Sequence, residues 1–86
     1  MNTLVSDPLA TAVSFKRDSF TVALADGRQL TVPLAKFPRL LQASKEQRAD
    51  YVITGGGVGL HWDAIDEDIS VKGLLLGVFD RSRLSA

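Results

Sequence analysis

Phe20, Val22 and Leu24 alternate with Thr21 and Ala23, and further on Leu30, Val32 and Leu34 alternate with Gln29, Thr31 and Pro33. Alternation at period two predicts strands with one face on a core and the other toward water. An earlier run, Ala12 to Lys16, has the same Val and Phe character. It is separated from Phe20 by Arg17-Asp18-Ser19, which suits a short turn. Asp26-Gly27 joins the second and third runs. A type I′ turn needs positive φ at both central residues, and this dipeptide tolerates it. The three runs therefore predict a meander whose apolar residues share one side. Pro33 has no N–H for a ladder, which places it at a strand end or on an edge.

The period changes after Leu34. Phe37, Leu40 and Leu41 recur at helical spacing, with Pro38 at the first helical position. Ser44-Lys45-Glu46-Gln47 matches a capping box, so a break is expected near Ser44, with a second short helical piece running through Arg48 or Asp50. Tyr51 to Thr54 reads as a strand, Gly55-Gly56-Gly57 as a turn, and Val58, Leu60 and Trp62 as the returning strand of a hairpin. Val71 to Leu76 predicts a short helix or turn, with Gly77 as its C′ stop. The expected fold class is α+β: a small antiparallel sheet comprising a three-stranded meander, a helical segment, a β-hairpin and a short C-terminal helix or turn. The two helical pieces, Phe37 to Asp50 and Val71 to Leu76, are expected to cover the apolar face.

A length of 86 residues predicts a single domain spanning 1–86, with a core over about 12–77 and loose termini. Hydrophobic content of 45% with 23% charged residues is that of a folded protein. Ten basic residues balance ten acidic ones, leaving no overall field to hold nucleic acid or an anionic membrane. The absence of cysteine excludes disulfides, thiolate chemistry and cysteine zinc sites. The first residues lack a basic segment followed by an apolar one, and no apolar run approaches the ~20 residues of a spanning helix. These features predict a soluble, cytoplasmic protein.

Candidate chemistry concentrates in His61-Trp62-Asp63-Ala64-Ile65-Asp66-Glu67-Asp68-Ile69-Ser70, which holds the single histidine, the single tryptophan and four acids. The acids lack the alternate spacing and central glycine of an EF-hand loop. In an extended segment Asp66 and Asp68 share a face while Glu67 points the other way. The expected structure is a solvated acidic turn before a short helix, with Ser70 as N-cap and Asp66 or Asp68 accepting backbone N–H groups. His61 is the obvious general-base candidate, but a covalent mechanism also needs a nucleophile and an orienting group in reach. Trp62 reads either as a core residue beside Phe37 and Leu40 or as a partner anchor. The glycines at 55, 56, 57 and 59 lie between two strands without a following Gly-Lys-Ser/Thr, so they predict a hairpin rather than a phosphate loop.

Leu24-Ala25-Asp26-Gly27-Arg28, Val32-Pro33-Leu34, Phe37-Pro38-Arg39-Leu40, Glu46-Gln47-Arg48 and Ile65 through Leu75 together resemble a bacterial family, the domain of unknown function 2442. The resemblance runs from about Ala12 to Gly77. It departs at Asp63-Ala64, where the family usually has proline soon after His-Trp. The resemblance implies a small α+β domain, a three-stranded meander followed by a helix and further strands, and brings no catalytic activity with it. Some relatives resemble the front half of longer proteins bearing a helix-turn-helix, others one member of a toxin–antitoxin gene pair. Two functions follow as expectations. The first is a non-enzymatic protein-interaction module, the antitoxin-like half of a two-gene pair or an accessory of a transcription regulator. Its partner would be a small protein such as a neighbouring gene product, or a second copy of the chain, contacted through His61, Trp62, Asp66, Glu67 and Asp68. The alternative is a small metal-dependent or hydrolytic enzyme using His61 and the acids at 63–68. On the first reading no residue is catalytic, and none binds a metal or cofactor.

Overall fold

The computed structural model describes residues 8–77. Of the ends expected to be loose, 1–7 and 78–86 lie outside the described residues, whereas Ala10 is buried in the first strand. The meander forms the first sheet: β1 (Ala10–Phe15), β2 (Ser19–Leu24) and β3 (Gln29–Pro33), antiparallel in that order. Phe20, Val22 and Leu24 are buried on the same side as Val32, and Leu34 follows them into the core. The shared sidedness read from the alternation is thus the sidedness of the sheet. Pro33 is the last residue of β3, which is an edge strand, where its missing N–H costs no ladder bond.

Two details depart from the simplest pattern. β1 begins at Ala10 rather than Ala12, because the register against β2 shifts between those two residues. Such a bulge adds one residue on the bulged strand, so Ala10 and Val13, an odd spacing apart, can both be buried. The β2–β3 loop is the second departure. Gly27 has φ of 94° while Asp26 has ordinary negative φ, and Gly27 N–H donates to the Leu24 carbonyl at 3.0 Å. This is a type I turn through Ala25 and Asp26 followed by a glycine bulge, in place of the expected type I′ turn. Asp26 does not need positive φ here. Its carboxylate instead accepts from Arg28 N at 3.0 Å and Arg28 Nε at 2.8 Å, and the backbone bond is the main cause that lowers its pKa.

Between the sheets lie two single-turn helices, α1 (Pro38–Gln42) and α2 (Lys45–Ala49). Neither is long enough to be stable alone, so local bonds and packing must hold them. Pro38 opens α1, whose Leu40 is fully buried beside Phe37. Ser44 and Gln47 form the predicted reciprocal capping box at α2. Arg48 then reaches back, donating Nε to the Leu40 carbonyl at 2.8 Å and Nη2 to the Leu41 carbonyl at 2.7 Å. It thereby adds a second donor to the Leu40 carbonyl, which also accepts from Ala43 N–H at 3.2 Å, and ties the end of α1 to α2.

The hairpin after Tyr51 is larger than its alternation predicts. β4 (Val52–Thr54) and β5 (Gly59–Trp62) pair as expected, and β6 (Glu67–Ser70) adds a third antiparallel strand. Residues read as a solvated acidic turn are therefore partly strand. Ile65, Glu67, Ile69 and Val71 do lie at period two, but a carboxylate at an inward position interrupts the apolar signal. α3 (Val71–Leu75) follows directly, capped by Ser70 Oγ accepting from Gly73 N–H at 3.0 Å and ended at Gly77 with φ of 78°.

One buried cluster runs through Phe20, Val22, Leu24 and Val32 of the first sheet, Phe37 and Leu40, and Leu60, Trp62, Ile69, Val71 and Leu74. The helical pieces therefore share the task of covering the first sheet with the inner face of the second. Near the start of β1, a Cβ on Gly57 would lie 2.8 Å from Leu9 Cβ and 3.0 Å from both N and O of Ala10, and its φ is 121°. Gly27, by contrast, has open space where a Cβ would go. Gly27→Ala should therefore cost only its left-handed backbone, ~1–2 kcal/mol. Gly57→Ala should cost clearly more, since the β1 backbone must also move. Urea unfolding of both variants checks this ordering, and equal losses would contradict the close approach at Gly57.

Candidate functional site

β5 and β6 place the candidate residues by alternation. His61 pairs in register with Asp68 on one side and Val52 on the other, whereas Trp62 pairs with Glu67. Neighbouring residues on a strand point to opposite faces, so the two rows separate. Val52, His61 and Asp68 form a row on the outer face. Trp62 and Glu67 lie inside, each 1% exposed.

The five residues proposed from sequence thus divide. Trp62 is a core residue, its ring edge-on to Phe15 at 6.4 Å and tilted against Tyr51 at 6.4 Å. Its indole N–H donates to the Arg48 carbonyl at 3.0 Å, which satisfies the polar end of a buried ring. Glu67 points away from Asp66 and Asp68, as the strand parity requires, but into the protein rather than toward water. A side chain of this type is rarely so buried. Neither is at the surface. Asp66 and Asp68 are exposed and His61 is half-buried, with Asp63 exposed beside it.

His61 sits between two carboxylates. Its Nδ1 lies 2.6 Å from Asp68 Oδ1 and its Nε2 lies 3.5 Å from Asp63 Oδ1. Protonated imidazole donates from both nitrogens, so this arrangement favours the charged ring. The Asp68 bond is the larger cause raising the His61 pKa above 6.5, and Asp63 adds to it. Both ring nitrogens are thus turned toward acids. Among the described residues, no three His, Cys, Asp or Glu side chains converge in metal-binding geometry.

The turn between β5 and β6 is not built as the acids alone suggest. Asp66 has φ of 52°, a left-handed conformation that Asp adopts more readily than most residues, and its N–H donates to the Asp63 carbonyl at 3.3 Å. Neither Asp66 nor Asp68 caps the start of α3. Asp68 is turned to His61, Asp66 lies 3.9 Å from Arg39 Nη1, and Ser70 supplies the cap. Arg39 also donates to the Asp66 carbonyl, tying α1 to the turn.

Two consequences are measurable. The His61 pKa is raised on folding, so its stabilising effect is complete below about 6.5, the unfolded value. That effect fades as pH rises through the folded value. A histidine titration by NMR should give a value above 6.5. It should fall toward the ordinary value in Asp68→Asn, and by less in Asp63→Asn; a larger response to Asp63→Asn would contradict the geometry. The second consequence concerns the acids. Glu67→Ala should lose roughly 2 kcal/mol or more by leaving a void beside Trp62. Asp66→Ala and Asp68→Ala, at exposed positions, should each lose less in the same thermal melts.

The family described as protein of unknown function (DUF2442) matches residues 10–80. A crystal structure of a protein of unknown function from Rhodospirillum rubrum is 33% identical, with a TM-score of 0.75 over 86% of this chain and 92% of that one. The solution NMR structure of an uncharacterised protein from Chromobacterium violaceum is 25% identical, with a TM-score of 0.70 over 83% of this chain and 67% of that one. No curated protein matches the chain. With most of its length matched, the chain belongs to the DUF2442 family.

Proposed function

We propose that the domain is a non-enzymatic protein-interaction module that binds a small protein partner, with a neighbouring gene product as the expected one. The observation that carries this reading is the outer face of the second sheet. Val52 is 51% exposed there, and beside it stand His61 and Asp68, with Asp63 and Asp66 at the hairpin tip. The three aspartate side chains are 96%, 90% and 75% exposed for Asp63, Asp66 and Asp68. The row runs from an apolar edge at Val52 through His61 to the acids, and recognition surfaces commonly combine apolar and charged groups in this way. Carboxylates on such a rim select a basic counterpart and raise its association rate.

The same geometry weighs against the hydrolytic alternative. A general base needs a ring nitrogen free to take a proton, and both nitrogens of His61 face carboxylates. Asp68, with a smaller contribution from Asp63, raises the His61 pKa, which favours the charged ring over the neutral one that a base requires.

Co-expression with the neighbouring gene product tests the proposal. The expected result is a complex that survives size-exclusion chromatography and weakens at least about tenfold, or roughly 1.4 kcal/mol, in Asp66→Lys with Val52→Asp. A domain that elutes alone, or a complex indifferent to both substitutions, would overturn it.

A further inference from the structure

The neutral net charge conceals a local separation. Three exposed aspartates, Asp63, Asp66 and Asp68, sit at the β5–β6 hairpin. On another part of the surface, a groove of about 800 Å³ runs between β1 and α2, and its lining includes Lys16, Arg17, Lys45 and Arg48 but no acid. Other cations have carboxylate neighbours, Arg28 at Asp26 and Arg39 at Asp66. Among the described residues, none of the four groove cations pairs with a carboxylate. Within the groove, Arg48 lies 6.0 Å from the Phe15 ring centroid.

One wall of this groove is a strand edge. β1 is the outer strand of its sheet, and Val13 N–H points away from β2 to donate to the Tyr51 hydroxyl at 3.2 Å. Backbone groups two residues apart on a strand point the same way. The N–H and C=O of Phe15 therefore face the groove as Val13 does, past the point where Tyr51 ends the edge. An open edge invites another strand, and side chains beside it decide which strand is accepted.

We propose that this groove binds an extended acidic segment of a partner protein, added as a short antiparallel or parallel strand beside β1. The backbone of Phe15 supplies the ladder bonds. Lys16, Arg17 and Lys45 receive the carboxylates, over a floor formed by Phe15 and Arg48. A phosphate polymer would satisfy the cations but not the strand edge, which is why a peptide is the occupant. This surface is separate from the acidic face proposed above, and either can fail without the other.

The test uses the full chain and a fluorescein-labelled peptide of about twelve residues alternating Glu with Val, long enough to span a strand. The control peptide carries Gln for every Glu. Fluorescence anisotropy should show saturable binding of the acidic peptide at least about tenfold tighter than the control, weakening as added salt screens the charges. Lys16→Glu with Lys45→Glu, both at exposed positions, should abolish it without changing the melting temperature by more than a few degrees. The Phe15 amide should show the largest NMR shift, a readout that charge attraction alone would not move. Equal binding of acidic and control peptides, an unmoved Phe15 amide, or preferential binding of a single-stranded oligonucleotide over the acidic peptide would each overturn the proposal. Arg48 is left intact because its bonds hold α1 in place.

Discussion

The contact on which this small domain most depends is the indole of Trp62 against the segment around Arg48. The two sheets are separate ladders, with no strand common to both. They need a side chain large enough to bridge them, and Trp62 does so from β5. Its ring meets Phe15 at the end of β1 and Tyr51 ahead of β4, while its N–H holds the Arg48 carbonyl. Arg48 in turn holds the carbonyls of Leu40 and Leu41 and lies over Phe15. A chain of contacts thus passes from the second sheet through α2 to α1 and the first sheet. Helices of a single turn cannot order themselves; here they are ordered by what they connect.

Much of this was legible in the residues. Alternation located β2, β3 and β5 and the inward side of the meander, and β-branched and aromatic content located β1 and β4. Ser44 and Gln47 announced α2, and Gly77 the end of α3, because those signals report backbone bonds that form within a few residues. The bulge at β1 and the type I turn before Gly27 were not legible, since both choose among backbone conformations of similar local cost. β6 was missed for a different reason. Its inward position is held by Glu67, and a carboxylate reads as solvent-facing unless its tertiary surroundings are known.

The candidate site shows the same limit at the level of chemistry. Sequence spacing showed that Asp66 and Asp68 oppose Glu67, but not which side faces the core. It brought His61 near several acids in the chain without telling that Asp68, across a strand pair, is the one in contact at 2.6 Å. Cross-strand neighbours are decided by register, and register here depends on the turn at Asp66 with its positive φ. A turn residue in a left-handed conformation therefore helps set which carboxylate holds the histidine and which one enters the core.

That dependence bears on how a neutral protein can present charged surfaces. Net charge governs interactions at distances beyond a Debye length, about 8 Å at physiological ionic strength, where this chain exerts little pull on anything. Within that length only local groups matter, and the fold has sorted them. The β5–β6 register gathers carboxylates at one hairpin, and the passage from β1 past α2 gathers cations along one strand edge. A partner would be recognised on close approach, by shape and short-range charge together, rather than drawn in from solution. For a domain whose sheets, among the described residues, end in edge strands, such selectivity would have a second value. Unpaired strand edges attract other strands indiscriminately, and charge beside the edge restricts the attraction to segments carrying the opposite sign.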